Sequence, residues 1–423
     1  MTTLQKKLLL LIAACLATQA GVNLTLYFRE LSESSRFGGD FICFWNAAYR
    51  VRHGDIAAIY DPDTWRQILS TNVTDAISWF VYPPFTLFGL WLLGDATYNE
   101  AVLAWSLVPL VFYLVLVVSL AKRSGLGDHE EHWPRAQAYA VLIAFSLPFL
   151  SANLFSGQTG AITAVFFLGA AYFWPTRPVL AGICIGLLAI KPQLGLLIPF
   201  ALVASGQWRI FAAAATTILL LIVLSTLWLG AAIWADYLRM TQLYSDLIGR
   251  GYDQVQQLLV GPYVSLHGTG MPAALAASLQ VLISLAVVTV IVRVFWSYKQ
   301  ERRQEDGRLD LRLALLAAGT LLATPYSFCY DTPLLILSII PLLARSWRDG
   351  WDGIELISVA MLLVSPYAQI LTAGSHIPFS FPAILLWFGV LYRRYQKEAL
   401  NAAVSPAVSS DKSTLLLRRS EAL

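Results

Sequence analysis

The amino-acid sequence predicts an all-α polytopic membrane protein. Of its 423 residues, 57% are hydrophobic and 13% are charged, which leaves too little polar surface for a soluble globular protein. The apolar stretches are long enough to cross the hydrocarbon layer as helices, whose backbones satisfy their own hydrogen bonds in lipid. We therefore expect about twelve apolar segments in one integral membrane domain, residues 1–400, followed by a disordered cytoplasmic tail, residues 401–423.

The first apolar stretch has two interpretations. Lys6 and Lys7 precede it, and a charged start before a short apolar run is also typical of a secretory signal, for which residues 17–20 would be a poor cleavage site. We favour an uncleaved helix over residues 8–28 with its basic end in the cytoplasm, because cytoplasmic loops carry an excess of Lys and Arg. This topology is typical of a bacterial cytoplasmic (inner) membrane protein.

The positions of the basic residues predict which turns share a side of the membrane. The same charge rule places the Lys and Arg clusters inside; these clusters are 122–135, 174–177, 207–209, 299–308, 345–348 and 393–397. The turns between them then lie outside; these turns are 153–159, 190–193, 231–271, 324–331 and 372–381. The largest polar insertion is the first outer loop, residues 29–81, in which we expect short juxtamembrane helices.

An acid stands near the start of this first outer loop. Asp40 lies in Phe37-Gly38-Gly39-Asp40-Phe41, and an acid at the water-facing mouth of a membrane protein is a candidate general base. A helix is predicted after it, because five residues share one face at helical spacing: Phe41, Phe44, Trp45, Ala48 and Tyr49. We expect this aromatic face to lie flat in the interfacial layer. Alternatively, Asp40 is only the N-cap of that helix.

One lysine stands at membrane depth. Lys191 separates two short apolar segments, 179–190 and 192–205, that each begin at or near a proline, a pattern typical of broken helices that line a cavity. Ionisable groups at that depth are costly and usually functional, although a lysine can also extend to the interface. Arg50, Arg52 and Arg66 of the first loop could bind a phosphate or lie among lipid headgroups.

The remaining signals are weaker. Gln158, in Ser156-Gly157-Gln158-Thr159-Gly160, offers an amide next to backbone donors, although a turn also explains this segment. The four cysteines lack metal-ligand spacing, so we predict no metal site and no cofactor. The net charge of +3 is spread over short loops, where it orients helices. Nucleic-acid binding is therefore not predicted.

These pieces form an ordered set of short motifs. An acid in the first outer loop is followed by Gly54-Asp55, Tyr60-Asp61, Tyr82-Pro83-Pro84, Gly157-Gln158, Ala181-Gly182, Ile190-Lys191-Pro192, Ala323-Thr324-Pro325-Tyr326 and Tyr330-Asp331. In this order the chain resembles glycosyltransferase family 87, the bacterial polyprenol-phosphate-sugar-dependent mannosyltransferases, over about residues 30–345. The resemblance implies a helical bundle of the glycosyltransferase C type.

The resemblance also implies a reaction. A hexose, usually mannose, would pass with inversion from a polyprenyl phosphate donor to a periplasmic glycan or glycolipid acceptor. Asp40 matches the catalytic acid of the first extracytoplasmic loop and would deprotonate the acceptor hydroxyl. The donor phosphate would meet cationic side chains, for which the candidates are Lys191, Arg50, Arg52 and Arg66. The candidates for contacts with the sugar or the acceptor are Gln158, Tyr82, Tyr330, Asp331 and His267.

The chain departs from the family pattern in the late outer turn. Several relatives carry Ser-Pro-x-Ser-Trp-x-His there, whereas this chain has Thr324-Pro325-Tyr326-Ser327-Phe328-Cys329-Tyr330-Asp331. The role of that histidine would then pass to Tyr330, Asp331 or His267, or be missing.

Two other classes of function remain open at this stage. A transporter or flippase for a lipid-linked precursor would predict paired repeats and ionisable residues near the midplane of several helices, and we find no clear internal repeat. A non-catalytic membrane partner would tolerate the substitution Asp40→Asn. The sugar and the acceptor are not specified by these motifs.

Overall fold

The structure is a computed structural model that describes residues 39–71, 79–125, 156–249, 258–301, 307–371 and 377–420, together with Asn153, Leu154 and a few other single positions. Within helices, the side chains of Arg66, residues 403–420 and several other positions are not described. The predicted first helix, residues 8–28, lies almost entirely outside the described residues. Secondary structure in the described ranges is helical, apart from one isolated β-bridge between Leu259 and Phe328.

The first half of the described chain combines short helices with one long helix. The first outer loop contains α1 (Phe41–His53), a 3₁₀ helix (Ala57–Tyr60) and α2 (Pro62–Thr71). A 3₁₀ helix (Pro84–Thr86), α3 (Leu87–Leu90) and a 3₁₀ helix (Trp91–Leu93) lead to α4 (Tyr98–Arg123). The Thr97 hydroxyl and the Glu100 carboxylate form a capping box at the start of α4, which satisfies backbone donors that a helix start leaves unpaired.

The second half is a helical bundle. Its first part comprises α5 (Gly160–Phe173), α6 (Pro178–Leu187), a 3₁₀ helix (Leu188–Ile190), α7 (Pro192–Gly195), α8 (Ile198–Ser205), α9 (Trp208–Leu229) and α10 (Ala232–Gly249). Its second part comprises α11 (Pro262–Gly268), α12 (Ala273–Glu301), α13 (Leu309–Ala323), a 3₁₀ helix (Cys329–Leu335), α14 (Ile336–Asp349), α15 (Gly353–Leu371) and α16 (Ser380–Ser420). The broken helices predicted around Lys191 are therefore present.

Four helices among the described residues are long and apolar enough to cross a membrane: Tyr98–Arg123, Trp208–Leu229, Ala273–Gln300 and Cys329–Asp349. The first three expose large apolar side chains such as Val111, Leu227 and Leu282, as expected of surfaces that face lipid. In the fourth, the apolar 18-residue stretch is entirely buried inside the protein. The prediction of an all-helical membrane protein is thus confirmed, whereas the total of twelve segments stays a prediction.

The core of the bundle is built around α13, whose residues from Leu309 to Leu322 are almost all buried. A helix that is apolar on every side needs neighbours all round, and α12, α14 and α16 pack against it. Elsewhere α6 and α9 approach closely at Gly182, where an added Cβ would lie 2.6 Å from the backbone oxygen of Ile210. Small residues at such contacts let membrane helices pack backbone to backbone.

The turns that were predicted to lie outside meet at one end of the bundle, which we call the site end. Thr324 Oγ1 donates to the Gln193 carbonyl at 3.0 Å, and Asn153 Nδ2 donates to the Tyr330 carbonyl at 2.5 Å. The basic clusters meet at the other end, which we call the basic end. There Arg123 donates to the Tyr172 carbonyl at 2.8 Å. The predicted grouping of these turns therefore agrees with the packing.

One expectation is wrong. The aromatic face of α1 does not lie flat at an interface, because Phe41, Phe44 and Ala48 are completely buried against the protein; burying aromatic rings against neighbouring aromatic side chains stabilises the fold more than leaving them exposed. α16 is described as far as Ser420, and the disorder expected for the tail, residues 401–423, stays a prediction.

Candidate active site

Asp40 directly precedes α1, and its side chain makes no capping hydrogen bond to that helix in the described structure. Instead, Gln158 Nε2 donates to Asp40 Oδ2 at 2.7 Å. The two residues are 118 positions apart in sequence, so this contact joins the first outer loop to the turn before α5. The alternative in which Asp40 is only a helix cap is therefore not what the structure shows.

A short chain of hydrogen bonds fixes the amide that holds Asp40. The Tyr82 hydroxyl donates to Gln158 Oε1 at 3.2 Å and lies 3.0 Å from Thr159 Oγ1. Tyr60 donates its hydroxyl to the Tyr82 carbonyl at 2.6 Å, which holds the backbone of Tyr82 in place. With its oxygen bonded to Tyr82, the Gln158 amide presents its NH₂ group to the carboxylate.

The Tyr82 phenol is a neutral donor in this chain. Burial raises the pKa of Tyr82 well above its ordinary value, and the nearby groups of Cys43 and Asp331 act in the same direction, whereas the hydrogen bond with Thr159 acts against it. Desolvation disfavours the charged phenolate. Tyr82 therefore keeps its proton and orients Gln158 over the working pH range of an enzyme.

Aromatic packing fixes the position of α1. The ring centroid of Phe44 lies 4.9 Å from that of Tyr82 and 4.8 Å from that of Trp105. Trp105, which comes from α4, also donates its indole N–H to the Gly157 carbonyl at 2.9 Å. The helix that follows Asp40 and the turn that carries Gln158 thus share one aromatic support, which pre-organises the pair.

A buried ion pair lies at the break between the 3₁₀ helix Leu188–Ile190 and α7. Lys191 Nζ is 2.5 Å from Asp331 Oδ1, and the two side chains are 6% and 0% exposed. Asp331 Oδ2 accepts a hydrogen bond from the Phe328 backbone N–H at 3.2 Å. The ammonium also lies 4.6 Å from the centroid of the Tyr330 ring. Buried charges require such partners, because desolvation without pairing is very costly.

The loop that carries Tyr330 and Asp331 is fixed from two sides. Asn153 donates to the Tyr330 carbonyl and accepts from the Ala161 backbone N–H at 3.1 Å. Gly160 lies so close that an added Cβ would be 1.5 Å from the same carbonyl oxygen. On the other side, the Cys329 backbone N–H donates to the Leu258 carbonyl at 2.6 Å. Asp331 is therefore held against Lys191 by its backbone.

Tyr244 of α10 also belongs to this neighbourhood. Burial is the main cause that raises the pKa of Tyr244, and the carboxylate of Asp40 adds to the shift. Tyr244 in turn contributes to the raised pKa of Tyr82. Tyr237, which precedes Tyr244 by about two turns of α10, has its ring centroid 5.8 Å from that of Tyr60, so this face of α10 lies against the first outer loop.

Three supporting residues of the site are not predicted from the sequence. Tyr244 lies in residues 231–271, which the charge pattern predicts as an outer turn, whereas Trp234, Tyr237 and Tyr244 share one face at helical spacing. That periodicity was the available signal. Asn153 and Trp105 carry no comparable signal, because each acts through a contact with a distant backbone carbonyl.

Other predicted residues lie elsewhere. Arg50 pairs with Asp55, and Arg52 pairs with Asp95 at 2.6 Å while its guanidinium lies 3.9 Å from the Trp91 ring centroid. Arg50 is ten residues beyond Asp40 along the chain, a distance of roughly 15 Å along a helix axis. Neither arginine contacts Asp40, Gln158 or Lys191 in the described structure. The side chain of Arg66 is outside the described part.

His267 is also removed from the Asp40 pair. It lies in α11, where its Nδ1 is 2.9 Å from the Met271 carbonyl oxygen and its ring stacks on Tyr263. Among the described residues, no group of His, Cys, Asp and Glu side chains is arranged to hold a metal ion. The expected absence of a metal and of a cofactor stays a prediction.

A membrane-embedded helical bundle that brings an acid, an amide and a buried lysine together at one end has the parts of a membrane transferase. The family model for glycosyltransferase family 87 matches residues 80–325, which is more than half of the chain, so the chain belongs to that family and is a membrane glycosyltransferase. The match includes Tyr82, Gln158 and Lys191, whereas Asp40 and Asp331 lie outside it. No curated protein and no solved structure matches the chain.

Proposed function

We propose that this glycosyltransferase moves a hexose, with mannose as the first candidate, from a polyprenyl phosphate donor to a glycan or glycolipid acceptor with inversion. Asp40 is the general base. The observation that carries the proposal is the hydrogen bond from Gln158 to Asp40, because it directs the carboxylate toward the other site residues instead of toward its own helix.

The proposed transfer is a single displacement. The Asp40 carboxylate takes the proton of the acceptor hydroxyl, and the acceptor oxygen forms a bond to the anomeric carbon of the sugar. The bond from that carbon to the phosphate oxygen breaks, and the lipid phosphate leaves with the electron pair from the opposite face. A positioned base of this kind contributes about 10²- to 10⁴-fold to a rate.

Lys191 is proposed to stabilise the leaving phosphate. A sugar phosphodiester carries one negative charge, whereas a phosphate monoester carries about −1.5 to −2 at neutral pH. A nearby ammonium therefore binds the leaving group more strongly as the bond breaks, which lowers the barrier. An ammonium has three N–H donors, and among the described residues its one carboxylate partner is Asp331, so donors remain for the phosphate.

Asp331 is proposed to hold Lys191 instead of binding a sugar hydroxyl. Both of its carboxylate oxygens already have partners, Lys191 Nζ and the Phe328 backbone N–H. The hydroxyls of Tyr82, Tyr244 and Tyr330, together with the Gln158 amide, are better placed for sugar or acceptor contacts. Arg50 and Arg52 are paired at the loop surface, so the proposal assigns the donor phosphate to Lys191 alone.

The proposed orientation places the site on the periplasmic face of a bacterial inner membrane. The site end carries the first outer loop, whereas the basic end carries Lys122, Arg123 and Arg177. Basic residues collect on the cytoplasmic side of membrane proteins. A lipid-linked donor would then present its phosphate to Lys191 from the outer leaflet.

The test is transfer of label from radiolabelled polyprenyl phosphate mannose in membranes that contain the parent protein, Asp40→Asn or Asp95→Asn. Asp95 is the matched control, because it is a 60% exposed carboxylate that pairs with Arg52. We expect transfer to fall by about 10²- to 10⁴-fold in Asp40→Asn, since the base is lost, and to stay near the parent level in Asp95→Asn. Product and consumed donor are both measured.

Equal transfer by the parent and Asp40→Asn would overturn the assignment of the base. If none of the three proteins transfers mannose, the same comparison is repeated with polyprenyl phosphates that carry other hexoses. If no polyprenyl phosphate sugar is used as a donor, the proposed donor class is wrong. Movement of a lipid-linked precursor across the membrane is then the favoured function.

A further inference from the structure

The basic end contains a cavity that plays no part in the proposed reaction. Its volume is about 210 Å³, and it lies where the last turns of α4 and α5 meet the start of α13 and the first turns of α14. Most of its wall is aliphatic; Leu120, Leu309, Leu313, Leu337 and Ile340 contribute to it. Arg123, Ser124 and Asp310 provide its polar groups. This combination suits a ligand with an apolar part and a polar head.

The acid at this cavity is already neutralised. Arg345 binds both carboxylate oxygens of Asp310, with Nη1 to Oδ2 at 2.7 Å and Nη2 to Oδ1 at 2.9 Å. Such a bidentate pair satisfies the carboxylate and uses the guanidinium geometry fully. The electrostatic character of the cavity mouth is therefore set by other groups.

Those other groups are cationic. Lys122 and Arg123 are both exposed at the end of α4. Arg123 lines the cavity and uses one N–H for the Tyr172 carbonyl. Among the described residues no carboxylate forms an ion pair with it, so further N–H donors of its guanidinium remain for a ligand. Arg177 is exposed shortly after Tyr172, and its backbone N–H is bonded to the Phe173 carbonyl at 2.8 Å. Of these three exposed cations, Arg123 lines the cavity itself, and together they make this end of α4 and α5 complementary to an anion.

A lipid-facing stripe on α4 leads toward Lys122, the residue before Arg123. Val108, Val111 and Val115 are each more than half exposed on α4. Residues 108, 111, 115, 119 and 122 follow one another at helical spacing, so the stripe ends at Lys122. An acyl chain that packs along the stripe would bring its headgroup to the level of Lys122 and Arg123.

We propose that this cavity is a binding site for an anionic phospholipid. The phosphate of the headgroup is held by Arg123 and Lys122, with the Ser124 hydroxyl as a further donor, and one acyl chain enters the aliphatic cavity. Basic pockets between membrane helices bind anionic headgroups by the same combination of charge and apolar contact. A small soluble anion would leave the aliphatic wall unfilled. The site lies at the end opposite Asp40 and is independent of the proposed transfer.

The test counts lipids that remain bound to the detergent-purified full-length protein by native mass spectrometry after addition of phosphatidylglycerol or phosphatidylcholine. The variants are Arg123→Gln, which removes the headgroup charge, and Ser124→Trp, which blocks the mouth at a half-exposed position. Arg239→Gln is the control, because Arg239 is a 70% exposed cation on α10 outside this cavity. Thermal unfolding of each variant is measured in parallel.

We expect the parent and Arg239→Gln to retain phosphatidylglycerol in preference to phosphatidylcholine. Arg123→Gln should bind phosphatidylglycerol about fivefold more weakly, which corresponds to roughly 1 kcal/mol for one cation at a membrane surface. Ser124→Trp should lose the preference for phosphatidylglycerol over phosphatidylcholine. If Ser124→Trp unfolds at a lower temperature than the parent, Ser124→Leu replaces it as a smaller plug.

Three results would overturn the proposal. Equal retention of both lipids by the parent would show that the cavity has no preference for an anion. An equal loss of bound phosphatidylglycerol in Arg123→Gln and Arg239→Gln would show that binding depends on the total charge of the protein and not on the cavity. Retention by both Ser124 variants together with loss in Arg123→Gln would place the lipid on the surface and outside the cavity.

Discussion

The two ends of the bundle bury charges in different ways. At the basic end, Arg345 binds Asp310 and Glu398, and Arg394 binds Glu355, Glu398 and, by its Nη2, Asp349. These contacts join α13, α14, α15 and α16 in one network. At the site end, Lys191 has a single carboxylate partner among the described residues, Asp331, on a loop.

This difference separates a structural network from a site that can accept a ligand. A guanidinium presents five donors in a rigid fork, and at Arg345 the described carboxylates and carbonyls occupy them. An ammonium is a compact charge with three donors that can rotate. Lys191 is buried, which strengthens its electrostatic effect. Its one described carboxylate partner does not use all three of its N–H donors, so it can still bind a ligand.

The largest expected effect is the removal of the lysine. Lys191→Met leaves Asp331 buried and unpaired, so we expect a loss of about 3–5 kcal/mol in stability together with loss of transfer. The double variant Lys191→Met/Asp331→Asn removes both charges and should recover most of the stability but none of the transfer. Thermal unfolding in detergent and the transfer assay measure the two effects separately.

The matched test at the basic end is Arg345→Met. We expect a similar loss of stability, because Asp310 is left with no guanidinium at this contact, and an unchanged rate per folded molecule. Transfer at the parent rate by the Lys191→Met/Asp331→Asn protein would contradict the difference between the two ends, since it would make the lysine structural as well.

The next effect concerns the close contact at Gly160. Gly160→Ala would place a Cβ 1.5 Å from the Tyr330 carbonyl oxygen and 2.6 Å from the Asn153 amide, so the Tyr330–Asp331 loop must move. Overpacking of this kind costs about 3 kcal/mol, and we expect reduced transfer because Asp331 shifts from Lys191. Gly389→Ala is the control, since no heavy atom lies within 4 Å of its added Cβ. Parent-like transfer by Gly160→Ala would show that the loop position is unimportant.

A smaller effect is expected from the amide that holds Asp40. Gln158→Leu removes the donor to a charged group, an interaction of about 1.5–3 kcal/mol, which corresponds to roughly a 10- to 150-fold slower transfer. We expect kcat to fall with little change in stability. Gln242→Leu, at an exposed position on α10, is the control. An unchanged kcat in Gln158→Leu would mean that Asp40 does not depend on its anchor.

The sequence predicted the broken helices around Lys191 and the grouping of the turns, for definite physical reasons. Lys191-Pro192 interrupts an apolar run, and a proline and a charge in such a place both end a helix. Basic clusters alternate with apolar pairs, which fixes the side of each turn. These signals are local, so they can be read from neighbouring residues.

The pairing of side chains could not be predicted in the same way. Lys191 and Asp331 are 140 residues apart, and Gln158 and Asp40 are 118 apart, so their contacts depend on how the helices pack. The sequence assigned Lys191 to phosphate and Asp331 to a hydroxyl without indicating that they bind each other. The aromatic face of α1 was likewise misassigned, because spacing shows that residues share a face but not what covers it.

The smallest effect is expected at the far end of the hydrogen-bond chain. Tyr82→Phe removes the donor that orients the Gln158 amide, and a neutral hydrogen bond of this kind contributes about 1 kcal/mol, or roughly a fivefold slower transfer. Tyr60→Phe is a useful comparison, because it removes only the bond to the Tyr82 carbonyl and leaves the Gln158 contact intact. Transfer rates of the parent and both variants are measured from pH 6 to pH 9, a range chosen below the ordinary phenol pKa of 10.0.

The pH dependence of this last effect has a definite sign. Because burial raises the pKa of Tyr82 above 10.0, the fold favours the neutral phenol, and the stability that this provides is fully present below pH 10 and is lost only as the pH rises through the raised value. The ratio of parent to Tyr82→Phe rates should therefore be constant across the measured range. A ratio that changes within this range would show that Tyr82 ionises during turnover, and the phenol would then take part in proton transfer beside Asp40.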